Sequence, residues 1–151
     1  MSSAIDVAVI GVGLVGSAVL KQLATVPSLS ALKVVALQNS RKTLLAAPGQ
    51  HLALDHWQAQ LETSSSPALS LEQLVSELQV IQAKNRRHIA VVDNTSNDTV
   101  AGFYPSFLRA GFSVVTPNKK AFSGSVDLFS AMEEAKENDA RPLVYLSLIH
   151  I

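Results

Sequence analysis

The residues with the clearest chemical potential stand at Gly11-Val12-Gly13-Leu14-Val15-Gly16, directly after the run Val7-Ala8-Val9-Ile10. A β-branched run that turns sharply into a helical pattern points several backbone N–H groups at one spot. That spot suits a pyrophosphate. Gly11 permits the turn, Gly13 lets a phosphate approach the backbone, and Gly16 lets helix and strand pack closely. Gly-x-Gly-x-x-Gly also occurs as a tight turn without a ligand. Its position at the end of a first strand favours a dinucleotide.

Ligands of open parallel sheets sit beyond the carboxyl ends of the strands, and three further ends carry polar residues. The second, after Leu37, reads Gln38-Asn39-Ser40-Arg41-Lys42, and no acidic residue occurs between Asp6 and Asp55. An NAD-specific site usually places a carboxylate here for the ribose diol. Ser40 and Arg41, with Lys42 beside them, instead suit a 2′-phosphate, which favours NADP(H) or tolerance of both cofactors. The alternative is an ordinary solvated basic pair. The third end, after Val92, reads Asp93-Asn94-Thr95-Ser96-Asn97. These small polar groups suit a ribose or a carboxamide, and equally a helix-capping turn. The fourth reads Thr116-Pro117-Asn118-Lys119-Lys120-Ala121-Phe122. A lysine there can polarise a carbonyl oxygen as hydride arrives, or it can simply be solvated.

Other chemistries are poorly supplied. The chain has no cysteine, which removes disulfides, thiolate metal sites and cysteine nucleophiles. His51, His56, His88 and His150 show no ligand spacing, so no metal site is expected. Twelve basic residues balance twelve acidic ones, and nothing suggests nucleic acid or an anionic membrane as partner. The N-terminus makes a poor signal peptide, and no apolar run reaches the roughly 18 residues of a membrane span. A cytoplasmic protein is the expectation.

The elements that must position these loops alternate along the 151 residues, which are 48% hydrophobic and 16% charged. Strands are expected at Ile5–Ile10, Leu32–Leu37, His88–Val92, Phe112–Thr116 and within Leu143–Ile149. Leu14–Ala24 reads as a helix with Leu14, Ala18, Leu20 and Leu23 as candidate buried positions. Ser70–Ala83 is the clearest helix, with Leu71, Leu74, Val75, Leu78 and Ile81 on one face and a capping box of Ser70 and Gln73. Thr99–Ala110 is helical, but Pro105 breaks or kinks it, which makes the early part a separate turn. Ser125–Asn138 is a further helix, with Ser125 as cap and Val126, Phe129 and Met132 facing inward. Residues 38–69 are less regular, with a loop at 63–67 and Trp57 as a packing residue. The pattern implies an α/β, Rossmann-like, doubly wound parallel sheet with helices on both faces and right-handed crossovers.

Read together, the loops resemble homoserine dehydrogenase, above all the short fungal-type enzyme. The motifs that carry the resemblance are Val7 through Ala18, then Val92-Asp93-Asn94-Thr95-Ser96, then Ala101-Gly102-Phe103-Tyr104. Most telling is Thr116-Pro117-Asn118-Lys119-Lys120-Ala121-Phe122-Ser123. The family interconverts L-homoserine and L-aspartate 4-semialdehyde with NAD(P) in threonine and methionine synthesis, and a homodimer is its usual state. The resemblance implies that Val12, Gly13, Leu14 and Val15, within the Gly11–Gly16 turn, line the pyrophosphate. It implies that Asn94, Thr95 and Ser96 approach the ribose and nicotinamide. Lys119 then lies beside the nicotinamide and the reacting carbon, as both cofactor-binding and catalytic residue.

The likeness stops near residue 145. The family continues with a histidine–glutamate pair and a glycine-rich segment; here Ser147 stands at the glutamate's place, in Leu146-Ser147-Leu148-Ile149-His150-Ile151. Residues 1–145 are therefore expected to be an NAD(P)-binding domain and 146–151 a divergent tail, with the substrate and dimerisation domain missing. On that expectation the chain alone binds nucleotide without turning over homoserine, and an uncovered apolar strand near 143–149 promotes self-association. A non-enzymatic nucleotide-binding or regulatory module, or another dehydrogenase of this fold, is the alternative.

Overall fold

The structure, a computed structural model, describes residues 4–117, Ser130, Glu134 and Leu143–Tyr145. Ile5–Ile10 forms strand β1, whose Val7, Ala8, Val9 and Ile10 are all buried. A strand this apolar on both faces belongs inside a parallel sheet covered on both sides. Leu14–Thr25 follows as helix α1, and a short 3-10 turn at Pro27–Leu29 leads into β2, Leu32–Gln38. Then come β3 (Thr43–Leu45), α2 (Trp57–Glu62), α3 (Leu71–Asn85) and β4 (Ile89–Asp93). The described elements end with α4 (Asp98–Gly102), α5 (Tyr104–Arg109), β5 (Ser113–Thr116) and β6 (Leu143–Tyr145).

The strands assemble in the order β3-β2-β1-β4-β5-β6. All neighbours are parallel except β3, which returns antiparallel against β2. The doubly wound expectation therefore holds, with an antiparallel edge strand added. The β1–β2 register slips between Val7 and Ala8, so that Val7 pairs with Val34 and Ala8 with Ala36. Val35 is the extra residue of this bulge.

Two cores cover the two faces. Ala8, Ile10, Val91 and Val114 pack under Leu74, Leu78 and Ile81 of α3 and under Val100, Tyr104, Phe107 and Leu108 of α4 and α5. On the opposite face Val7, Val9 and Leu37 pack with Leu20 of α1 and with Trp57 and Leu61 of α2. Asp6 is fully buried at the start of β1, where Asn85 Nδ2 (2.8 Å) and Arg87 Nη1 (3.3 Å) answer its carboxylate. Pairing of this kind is what makes a buried charge tolerable.

The helix expected at Ser70–Ala83 forms as α3 with its Ser70–Gln73 capping box in place. The break expected within 99–110 falls at Phe103, and Pro105 sits in the first turn of α5. One buried face differs from the expected one. Leu14 is 92% exposed and Ala18 is exposed, while Gly16 and Leu20 face the sheet. The close contact of Gly16 with the glycine turn fixes the rotation of α1 and sends Leu14 outward. The region 38–69 holds a three-residue strand that the sequence does not announce and a six-residue helix that begins at Trp57, where Asp55-His56-Trp57 reads as a loop or a helix start. The helix expected at Ser125–Asn138 lies outside the described residues except at Ser130 and Glu134, both helical. The tail 146–151 lies outside them as well.

Candidate functional site

The site forms where β1, β2 and β4 end side by side. Gly11 N–H donates to the Gln38 carbonyl (2.9 Å), and Asn94 N–H donates to the Ile10 carbonyl (2.9 Å). These two bonds fasten the three loops to one another. Gly11 has φ +88°, the left-handed region that glycine adopts without penalty. A Cβ there would also meet Thr95 Cγ2 at 2.8 Å. At Gly16 a Cβ would stand 2.1 Å from the Gly11 carbonyl oxygen. Gly13 differs from both, since nothing lies within 4 Å of the position its Cβ would take.

Gly13 is also the N-cap of the twelve-residue helix α1, where no side chain caps the first turn and no acidic residue stands in it. The first N–H groups of a helix have no partner within it. Uncapped and beside open space, they have the donors and the room that an anion needs.

A cavity of about 830 Å³ opens over these ends. It brings together six of the residues singled out from the sequence: Gly11, Val12, Gly13, Ser40, Thr95 and Ser96. Leu14, Val15, Gly16, Arg41 and Asn94 are not on its wall. Arg41 is exposed beside Ser40. Val15 and Asn94 face a second, apolar space of about 390 Å³ that Pro117 also lines. Lys119 lies outside the described residues.

The loop after β2 is an Asx turn. Asn39 Oδ1 accepts from Arg41 N–H (2.8 Å) and Lys42 N–H (2.7 Å). Lys42, the third member of the expected basic cluster, is committed elsewhere: its Nζ donates to the Ser64 carbonyl at 2.8 Å. Gln38, a loop residue by the sequence, belongs to β2, where it is buried. Its Oε1 accepts from Thr43 Oγ1 (2.6 Å) and its Nε2 donates to the Leu69 carbonyl (3.0 Å).

The loop after β4 divides the two roles that its residue types allowed. Asn97 takes the capping role, its Oδ1 accepting from Thr99 N–H (2.7 Å) and Val100 N–H (3.2 Å). Thr95 and Ser96 turn to the cavity. Asn94 Nδ2 is buried without a hydrogen-bond partner, close behind Gly16. A buried donor left unpaired is costly, and at this strand end Asn94 Nδ2 is available to a bound group.

Sequence reasoning missed the far wall, formed by residues 68–72 and Phe103. The capping box at Ser70 marked where α3 begins, and only the fold brings that helix start opposite Ser40. Glu72 thereby places a carboxylate on the cavity wall. No group of three or more metal-ligating side chains occurs among the described residues, and no helix among them is long and apolar enough to cross a membrane.

Strand order and glycine turn together define an α/β domain of the Rossmann type. The family model described as homoserine dehydrogenase, NAD binding domain, matches residues 11–145, and the chain belongs to this family. It is 36% identical over 129 residues to homoserine dehydrogenase of Saccharomyces cerevisiae and 38% identical over 151 residues to that of Emericella nidulans. Those alignments cover 85% and 96% of the chain. The chain spans only 35% and 39% of the length of these relatives. Among solved structures it superposes on a Candida auris protein of unknown function with TM-score 0.77 and 35% identity, covering 94% of this chain and 38% of that one. It shares its fold with a hyperthermophilic archaeal homoserine dehydrogenase in complex with NADPH, at TM-score 0.68 and 20% identity, covering 94% of this chain and 43% of that one.

Proposed function

We propose that this chain binds NAD(P) across the carboxyl ends of β1, β2 and β4 and is the nucleotide-binding part of a homoserine dehydrogenase. The observation that carries this reading is the open space at Gly13 beside the uncapped start of α1. The residues present fit the cofactor in two further ways. Asn94 Nδ2 is an unused buried donor, and Thr95 and Ser96 line the cavity, the Thr95 hydroxyl being bonded to Asp93.

In this reading the backbone N–H groups of Val12 to Val15 hold the pyrophosphate. Asn94, Thr95 and Ser96 orient the ribose and carboxamide on the nicotinamide side. Ser40 and Arg41 receive the 2′-phosphate, which makes NADP(H) the preferred cofactor. A guanidinium answers a phosphate dianion where a carboxylate would repel it. The bound nicotinamide supplies the hydride acceptor or donor for interconverting L-homoserine and L-aspartate 4-semialdehyde. Lys119 stabilises negative charge on the substrate oxygen as that charge develops.

Hydride transfer requires the substrate to be held at near-attack distance. We assign that task, and the family's homodimer contact, to the portion of the relatives that this chain does not span. The protein is proposed to act in the cytoplasm. Calorimetric or fluorescence titration of the 151-residue chain with NADPH and NADH tests the reading. Binding of both, tighter for NADPH, is expected, with no NADPH formed from homoserine and NADP+ by this chain alone. Absence of binding to either nucleotide would remove the proposal.

A further inference from the structure

Behind the cavity wall lies a polar cluster that nucleotide contact does not explain. Asp93 ends β4 with no exposed surface. Its Oδ1 accepts two bonds from one residue, Thr95 N–H at 2.8 Å and Thr95 Oγ1–H at 2.6 Å. Its Oδ2 accepts from the hydroxyl of Tyr104, the first residue of α5, which is also fully buried. Thr116, the buried last residue of β5, lies 2.8 Å from the Tyr104 hydroxyl and donates to the Asp93 carbonyl at 2.9 Å. A buried carboxylate is tolerated when donors surround it, and in a low-dielectric interior such bonds hold geometry firmly.

The consequence falls on Thr95. With its N–H and hydroxyl both committed to Asp93, the side chain has one orientation, and its Cγ2 methyl lies over Gly11. Thr95 also lines the 830 Å³ cavity. Resting on the nucleotide reading above, we propose that Asp93 is a positioning residue. It acts through Thr95 to hold the β4 loop against the glycine turn, and through Tyr104 and Thr116 it joins that wall to the end of β5. Asp93 itself need not touch the nucleotide. Its two oxygens set the distance between two walls that must grip one ligand.

The test compares the full chain with Asp93→Ala, Asp93→Asn and Tyr104→Phe, each titrated with NADPH well below its unfolding temperature. Amide exchange of Thr95 and of α3 is followed in parallel. Asp93→Ala is expected to weaken NADPH binding about tenfold and to speed exchange at Thr95 while the α3 amides keep their protection. Asp93→Asn keeps an Oδ1 acceptor for Thr95 and should stay within about threefold of the unmodified chain. Tyr104→Phe should lose about threefold to fivefold, and it carries the test if Asp93→Ala does not fold. Folded variants that bind NADPH as the unmodified chain does would overturn the inference, as would an Asp93→Asn loss as large as that of Asp93→Ala. If the unmodified chain fails to bind NADPH, the nucleotide reading falls and this inference with it. Binding by the unmodified chain with no effect of the variants removes the inference alone.

Discussion

The Cβ position of Gly16 lies 2.1 Å from the carbonyl oxygen of Gly11. The first turn of α1 is therefore pressed onto the turn that ends β1, with no room for a methyl group. Because the obstacle is backbone, Gly16→Ala must move the helix or the strand end. Urea denaturation should show a loss of about 3 kcal/mol, the upper part of the range for overpacking a tight contact. An unchanged midpoint would mean that the turn is looser than described.

Gly13 gives the opposite expectation. Its Cβ position is empty to 4 Å. Gly13→Ala should change stability by less than about 1 kcal/mol, since the methyl meets nothing in the folded chain. NADPH affinity should fall by roughly tenfold, because the methyl occupies the space a phosphate needs. Equal losses of stability and affinity would show that Gly13 serves only the fold.

Arg41 stands beside Ser40 at the cavity edge, its backbone held by Asn39 while its side chain is exposed. Arg41→Ala should reduce NADPH affinity about tenfold and leave NADH nearly unchanged, as expected for one charge-assisted contact to a 2′-phosphate. Paired calorimetric titrations give the ratio. A ratio that does not move means the guanidinium is only solvated.

Glu72 sits on the cavity wall with Asn39 and Ser40, in the first turn of α3. Its carboxylate opposes an added phosphate dianion. Glu72→Gln should strengthen NADPH binding by roughly twofold to threefold with little effect on NADH, a modest gain because the side chain is exposed. The gain should shrink in high salt. A loss of NADPH affinity would instead give Glu72 a direct contact with the ribose.

Local chemistry determines which features the sequence disclosed. The Ser70–Gln73 capping box and the apolar stripe ending at Ile81 define α3 without help from the rest of the chain, and Pro105, in the first turn of α5, sets a helix start just after Phe103 by the same local logic. Val7 to Ile10 run straight into Gly11, so the strand–turn–helix junction was legible as well. Contacts distant in sequence were not. Lys42 reads as part of a basic cluster until its Nζ is seen to reach Ser64, and Gln38 reads as loop until Thr43 and Leu69 enclose it. Thr43–Leu45 is too short for alternation to declare it, and it exists through pairing with β2. Leu14 shows the limit of periodicity: its spacing suits a buried face, yet packing at Gly16 decides the rotation of the helix. In the site, Ser40, Thr95 and Ser96 were visible as polar strand ends, whereas Glu72 and Phe103 reach the cavity through tertiary structure alone.

The most direct test of the account is to map bound nucleotide onto the chain by backbone amide NMR during titration with NADPH. Saturable shifts are expected at Gly11, Val12, Gly13, Ser40, Thr95 and Ser96, the residues that share the cavity. Amides at the opposite end of the sheet, near Asp6 and His88, should stay still. No saturable shift, or shifts centred away from the glycine turn, would contradict the account.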